Sequence, residues 1–136
     1  MTFSIYALLG EGAPSITNES LASDLTYFFR NEEGFVLQFE QLPFAKIKTL
    51  ALRWDAWLVR VSYEQGANVA QDSAEISKIV GDAGLCNIAD IDKRIRVVFS
   101  DDDSQEHTNQ IIYVMDFLRE IPGVVIFDPQ QQDLVT

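Results

Sequence analysis

The feature that most constrains the fold is a pair of strand-like runs within residues 47–63, separated by Asp55 and Ala56. Both runs are rich in β-branched, aromatic and aliphatic residues, and a two-residue break between such runs is typical of a β-hairpin. In the second run Trp57 and Val59 share one face, because side chains alternate along a strand. Alanine disfavours positive φ, so this pair predicts a turn that is longer or bulged.

Length and composition predict one folded domain. A chain of 136 residues has room for a hydrophobic core, and its 47% of hydrophobic residues excludes disorder in spite of a net charge of -11. The first residues lack the pattern of a secretory signal, and no apolar run approaches the roughly 18 residues of a membrane span. The single cysteine, Cys86, excludes an internal disulfide and predicts a buried thiol in a reducing compartment. We therefore expect a soluble cytoplasmic protein.

The rest of the chain predicts alternating strands and helices. Strands are expected at 3–9, 35–41, 94–99 and 124–127, and helices from Thr17 or Asn18, from Asp72 or Ser73, and from about Thr108. The order is β-α-β-β-β-α-β-α-β, which indicates an α+β domain: a mixed β-sheet with helices packed on one face. Residues 94–99 should run parallel to residues 124–127, since a helix joins them. Residues 128–136 are expected to be a polar tail.

Two segments of the chain resemble each other. Residues 28–36 and 117–125 share Phe, Arg, Gly and Val at one constant offset, each time across a predicted helix-to-strand turn. The two halves of the chain are therefore either a true repeat or two examples of a common turn. Such turns select an apolar helix end, a glycine stop and a β-branched start, so the pattern leaves both explanations open.

The charges are segregated along the chain. Residues 46–60 carry four bases and one acid, whereas residues 101–136 carry eight acids and one base. Bases fall mostly on predicted strands, among them Arg60, Arg94 and Arg96, and acids fall mostly on helices and loops. An acidic rim repels phosphates, which disfavours nucleic acid, and it suits a basic protein partner. The simpler explanation, that an acidic surface aids solubility, stays open.

The densest acidic cluster is Asp101, Asp102 and Asp103 with Glu106. The three aspartates lie in a predicted loop, residues 100–105, called the acidic loop below. Carboxylates could bind calcium or magnesium, but the spacing does not match an EF-hand loop, and a single histidine excludes a multi-histidine metal site. A solvated loop that places negative charge at the next helix N-terminus is the favoured interpretation. We therefore expect no catalytic site, no metal and no cofactor.

Both tryptophans, Trp54 and Trp57, flank the predicted hairpin turn. Their cross-strand contact depends on the register of the hairpin. They belong either to the core or, if one lies exposed near the turn, to a surface that contacts a protein. On the second interpretation, the partner-binding residues are the four acids above together with Trp54 and Trp57.

The layout and the terminal segment, Phe117 to Gln130, resemble bacterial immunity proteins. These are the cognate inhibitors carried beside contact-dependent, Rhs or type VI secretion toxins. Because this family is diverse in fold, the resemblance implies a role and transfers no functional residues. It implies stoichiometric binding that blocks the active site of a toxin or the entry of its substrate.

Three hypotheses about function follow. The first is an immunity protein without catalysis, whose partner is a toxin with a basic surface. The second is a small regulatory or structural domain that self-associates through its sheet as a homodimer. The third is an enzyme that uses the acidic cluster with a metal ion.

Overall fold

The computed structural model describes residues 2–40, 49–81 and 88–135. The predicted hairpin start at residues 47 and 48 and the predicted buried thiol of Cys86 lie outside these residues. The elements in chain order are β1 (Phe3–Leu9), α1 (Asn18–Phe28), β2 (Phe35–Glu40), β3 (Thr49–Trp54), β4 (Trp57–Gln65), α2 (Ala67–Val80), a 3₁₀ turn (Ile88–Asp90), β5 (Lys93–Phe99), α3 (Thr108–Arg119), β6 (Val124–Asp128) and β7 (Asp133–Val135). The α+β class and the predicted order are confirmed, with one further strand at the end.

The described strands form one seven-stranded sheet in the order β2-β3-β4-β5-β1-β6-β7. Each neighbouring pair is antiparallel, so the prediction of a mixed sheet was wrong. The reason is that β1 inserts between β5 and β6. These two strands do run in the same direction, as predicted for residues 94–99 and 124–127, but they are not neighbours.

The helices cover both faces of the sheet, and the prediction that they pack on one face was wrong. Alternate residues of β1, such as Ile5 and Ala7, join the larger hydrophobic cluster together with α1 and α3. Leu8 lies on the opposite face, in a smaller cluster that includes Ile76 of α2. Strands buried on both faces read as continuous apolar runs, and β1 from residue 5 to residue 9 has this character.

The hairpin of β3 and β4 has the predicted position and a tighter turn than expected. Trp54 is paired directly with Trp57, so the turn contains only Asp55 and Ala56. Asp55 adopts a φ of +56°, and Ala56 keeps an ordinary negative φ. Aspartate tolerates the left-handed region better than most residues, which allows the short turn without strain at the alanine.

Each helix begins at a different kind of residue. Thr17 caps α1 as predicted: its Oγ1 accepts the N–H of Ser20 at 3.0 Å, and the Oγ of Ser20 accepts the N–H of Thr17 at 2.9 Å. This reciprocal pair satisfies two N–H groups of the first turn. Helix α2 begins at Ala67, earlier than the predicted Asp72 or Ser73, because Gly66 at a φ of +119° turns the chain directly from β4.

Helix α3 begins at the predicted Thr108, and its buried face is narrower than the set of its apolar residues. Val114, Met115 and Leu118 are buried, whereas Ile112 is 47% exposed. The apolar residues of this helix cover more than half of its circumference. Their spacing therefore predicts a helix but leaves open which side faces the sheet.

The C-terminal segment is ordered, so the prediction of a polar tail was wrong. Strand β7 pairs with β6 through Phe127 and Leu134. Between these strands Gln130 bonds the backbone of Ser4 from both ends of its amide: Oε1 accepts the N–H at 2.7 Å and Nε2 donates to the carbonyl at 2.8 Å. The side chain of Gln130 thus continues the pairing of β1 beyond β6.

The two similar helix-to-strand turns both contain a glycine in the left-handed region. The φ angles are +79° at Gly34 and +76° at Gly123. At Gly123 a Cβ would lie 2.4 Å from the carbonyl oxygen of Glu11, so that position also requires a bare Cα. A shared backbone conformation accounts for the recurrence of glycine, and it leaves the question of a true repeat open.

Candidate functional site

The acidic loop lies beside the hairpin turn. It connects the end of β5 to the region before α3, and the N–H of Ser100 donates to the carbonyl of Leu58 at 3.0 Å. This bond extends the pairing of β4 with β5 by one step. The loop therefore starts from a fixed point next to Trp57.

Trp57 lies beneath the acidic loop and bonds its backbone. The indole Nε1 donates to the carbonyl of Asp101 at 3.1 Å and to that of Ser100 at 3.3 Å. The ring of His107 stacks on the indole with a centroid distance of 4.5 Å and an interplanar angle of 8°. A single buried side chain thus contacts both ends of the segment between β5 and α3.

Asp102 orders the segment from within. Its Oδ1 accepts the N–H of His107 at 2.9 Å, and its carbonyl accepts the N–H of Gln105 at 2.9 Å. Gln105 adopts a φ of +58°, which lets the chain reverse before α3. The carboxylate of Asp102 therefore serves the loop itself, and this residue is half-buried.

The outward-facing acids are Asp101, Asp103 and Glu106, all of which are exposed. Glu106 lies just before the first residue of α3, where unpaired N–H groups favour negative charge. The structure brings Trp57 into contact with the backbone of the loop that carries Asp101 and Asp103. The arrangement is an acidic surface on a fixed backbone.

The role predicted for the tryptophans, as exposed contact residues, is corrected by their burial. Trp54 is 4% exposed and Trp57 is 5% exposed. Both side chains point to the face of the sheet that α1 and α3 cover, and their ring centroids are 5.8 Å apart. They support the site from the core and do not form part of its surface.

Sequence reasoning missed a second surface, made by aromatic residues that the fold leaves exposed. Tyr27 is 67% exposed, Tyr113 is 39% exposed and Phe28 is 37% exposed, whereas Phe29 is buried. A signal was present in the run of three aromatic residues ending α1. Consecutive helical residues are about 100° apart, so three in a row cannot all face the core.

The basic residues of the strands are partly paired within the protein. Arg94 is buried, and it donates to Glu64 at 2.8 Å and to Asp72 at 2.9 Å. Burial opposes the charged form of Arg94, but the two carboxylates outweigh this effect and hold its pKa above the usual value. Arg60 lies 3.6 Å from Glu40, and Arg96 remains exposed. Internal ion pairs therefore reduce the positive charge that these strand residues present to a partner.

A polar cleft of about 720 Å³ lies at the other end of β1. The loop after β1 approaches the turn before β6, where the N–H of Gly10 donates to the carbonyl of Gly123 at 3.0 Å. Within the described residues, the charged side chains of its lining are Glu11, Asp90 and Asp92 with Lys93. This mixture does not select one kind of ligand.

Family models, curated proteins and solved structures give no match to this chain. Within residues 2–40, 49–81 and 88–135, no three His, Cys, Asp or Glu side chains converge as a metal site. In the same residues, no helix has both the length and the apolar character needed to cross a membrane.

Proposed function

We propose that this protein is an immunity protein, a cytoplasmic binding module without catalysis that neutralises a cognate secreted antibacterial toxin. The observation that carries the proposal is the acidic loop, whose backbone is fixed by Trp57 while Asp101, Asp103 and Glu106 are exposed. A pre-ordered loop loses little conformational entropy when it binds, which favours tight association. The resemblance of residues 117–130 to immunity proteins supports the same role.

The charge of the loop fits the kind of enzyme that a toxin would be. Enzymes that act on nucleic acids or nucleotides line their active sites with lysine and arginine, because their substrates carry phosphates. A row of carboxylates on a firm loop would enter such a cleft and take the place of the phosphates. The net charge of -11 would also accelerate the encounter of the two proteins.

The proposal predicts that a toxin-like protein is encoded beside this gene, and co-expression with that protein tests it. We expect the protein to restore growth of bacteria that make the active toxin, and the purified mixture to contain one copy of each chain. A toxin inactivated at its own active site serves as the control for expression load. Unrestored growth together with two separate species in solution would contradict the proposal.

Self-association through the sheet is the second candidate, and one observation favours it. Strand β2 is the end strand of the described sheet, and its Val36 and Phe39 are each 48% exposed. Edge strands of this length usually carry lysine or proline that prevents pairing with another strand, and β2 has neither. The mass of the free protein, measured in the same experiment, separates a monomer from a homodimer.

A further inference from the structure

A groove runs between the C-terminal half of α1 and the end of α3, outside the acidic loop. Its volume is about 700 Å³, within the range of about 300–1,000 Å³ that is typical of ligand pockets. The apolar side chains that line it include Ile16, Leu21, Tyr27, Phe28, Phe117 and Ile121. They come from the capping segment of α1, from α1 itself, from α3 and from the turn after α3.

The aromatic wall of the groove is held in place by packing. The ring of Phe28 meets Phe117 edge-on at a centroid distance of 5.4 Å and Phe29 at 5.0 Å. Phe29 is 2% exposed and packs against Trp54, so the wall continues into the core. Side chains fixed in this way present apolar area that needs little ordering on binding.

The rim of the groove carries charges that select a basic occupant. Asp24 lies on the α1 side and Glu120 on the α3 side; both are exposed, and neither has an ion-pair partner within the described residues. Arg30 is the base that the described lining contains. Its Nη1 donates to the carbonyl of Tyr27 at 2.8 Å, and its guanidinium lies 3.9 Å from the centre of the Tyr27 ring. Arg30 keeps its positive charge in these contacts, so the described rim carries two carboxylates against one guanidinium and is negative on balance.

We propose that this groove binds an apolar segment of a partner protein that is flanked by lysine or arginine. Apolar side chains of the segment pack on Phe28 and Phe117, and its basic side chains meet Asp24 and Glu120. A second copy of this chain does not fit the rim, because each copy carries a net charge of -11. The inference rests on the proposed function in one respect: the toxin is taken as the partner that carries the segment.

The test uses a short synthetic peptide of leucine, phenylalanine and lysine, titrated into the isotope-labelled protein and followed by NMR. We expect shifts at the amides of Tyr27, Phe28 and Phe117, and the same peptide with glutamate in place of lysine should give none. The double variant Asp24→Asn, Glu120→Gln should weaken binding of the basic peptide about 10-fold. A control with the same charge change, Glu19→Gln with Glu75→Gln, should change the affinity less than about twofold.

Two outcomes would overturn the proposal that this groove binds a basic, apolar segment. One is a set of peptide-induced shifts centred on the acidic loop or spread over all acidic surfaces, and the other is equal weakening by the two double variants. The result is separable from the proposed function, since the peptide test contains no toxin. If the peptide does not bind but the protein protects bacteria from the toxin, only the groove proposal is rejected. If the peptide binds but the protein gives no protection, the proposed immunity function is rejected.

Discussion

Replacement of Trp57 by alanine is expected to lower the free energy of unfolding by about 3–5 kcal/mol, the usual effect of deleting a large buried aromatic side chain. Trp57 is 5% exposed and contacts the rings of Trp54, Phe99 and His107. The loss is a large part of the roughly 5–15 kcal/mol that stabilises a domain. Urea unfolding followed by circular dichroism measures it.

A smaller change isolates the link between Trp57 and the acidic loop. Trp57→Phe keeps an aromatic ring but removes the N–H that donates to Ser100 and Asp101. Trp54→Phe is the matched control, because within the described residues the indole N–H of Trp54 has no acceptor. We expect Trp57→Phe to destabilise by about 1–2 kcal/mol more than Trp54→Phe. Equal effects, with unchanged hydrogen exchange in residues 101–107, would show that the indole does not hold the loop.

The second large effect is expected at Arg94. Arg94→Ala leaves Glu64 and Asp72 facing each other without their shared cation, and it removes the guanidinium from the ring of Tyr6, 4.6 Å away. Breaking a buried ion pair destabilises by about 3–5 kcal/mol. Since the Asp72 side chain is 54% exposed and regains water, we expect about 2–4 kcal/mol.

Two further variants define the origin of that loss. Arg119→Met removes an arginine that also pairs with an aspartate, Asp116, but on an exposed helix surface, and we expect an effect below about 0.5 kcal/mol. Arg94→Ala combined with Glu64→Gln and Asp72→Asn removes all three charges and should recover part of the stability lost in Arg94→Ala alone. Thermal unfolding gives both comparisons. No recovery in the triple variant would show that the packing of the arginine stem, and not unpaired charge, accounts for the loss.

Much of the fold could be predicted from local sequence patterns. The alternation in β4 placed Trp57, Val59 and Val61 on one face, and the structure buries all three there. Thr17, which caps α1, was one of the two residues predicted for that role, because a side-chain oxygen before an apolar helical pattern is a local signal. Such features depend only on neighbouring residues, and the sequence displays those directly.

Features that depend on distant residues were not visible. The insertion of β1 between β5 and β6 is set by packing over the whole sheet, and it made the sheet antiparallel. The placement of α2 on the second face follows from the same order. Strand β7 has only three residues and contains Asp133, so neither length nor composition marked it.

The candidate site was likewise predictable only in part. Charge density alone located Asp101, Asp103 and Glu106, and they are exposed as expected for contact residues. The role of Asp102 depends on a hydrogen bond to His107, and that of Trp57 depends on backbone carbonyls more than forty residues away. Backbone acceptors leave no trace in residue identity, so these supporting contacts could not be read from the sequence.

We propose that the acidic loop is the surface by which this protein meets a basic partner. The rate of association with the toxin that the proposal assigns to it, measured by stopped flow over a range of salt concentrations, tests this role. The loop variant carries Asp101→Asn, Asp103→Asn and Glu106→Gln, and it keeps Asp102 because that carboxylate bonds His107. The control variant carries Glu19→Gln, Glu33→Gln and Glu75→Gln, three exposed acids outside the loop that change the net charge equally.

The loop variant is expected to associate about 10-fold or more slowly than the unaltered protein at low salt, with a flatter salt dependence. The control variant should retain most of the rate, because steering depends on where the charges lie. Equal rates for the loop and control variants at every salt concentration would show that the acidic loop does not make the contact and that another face does.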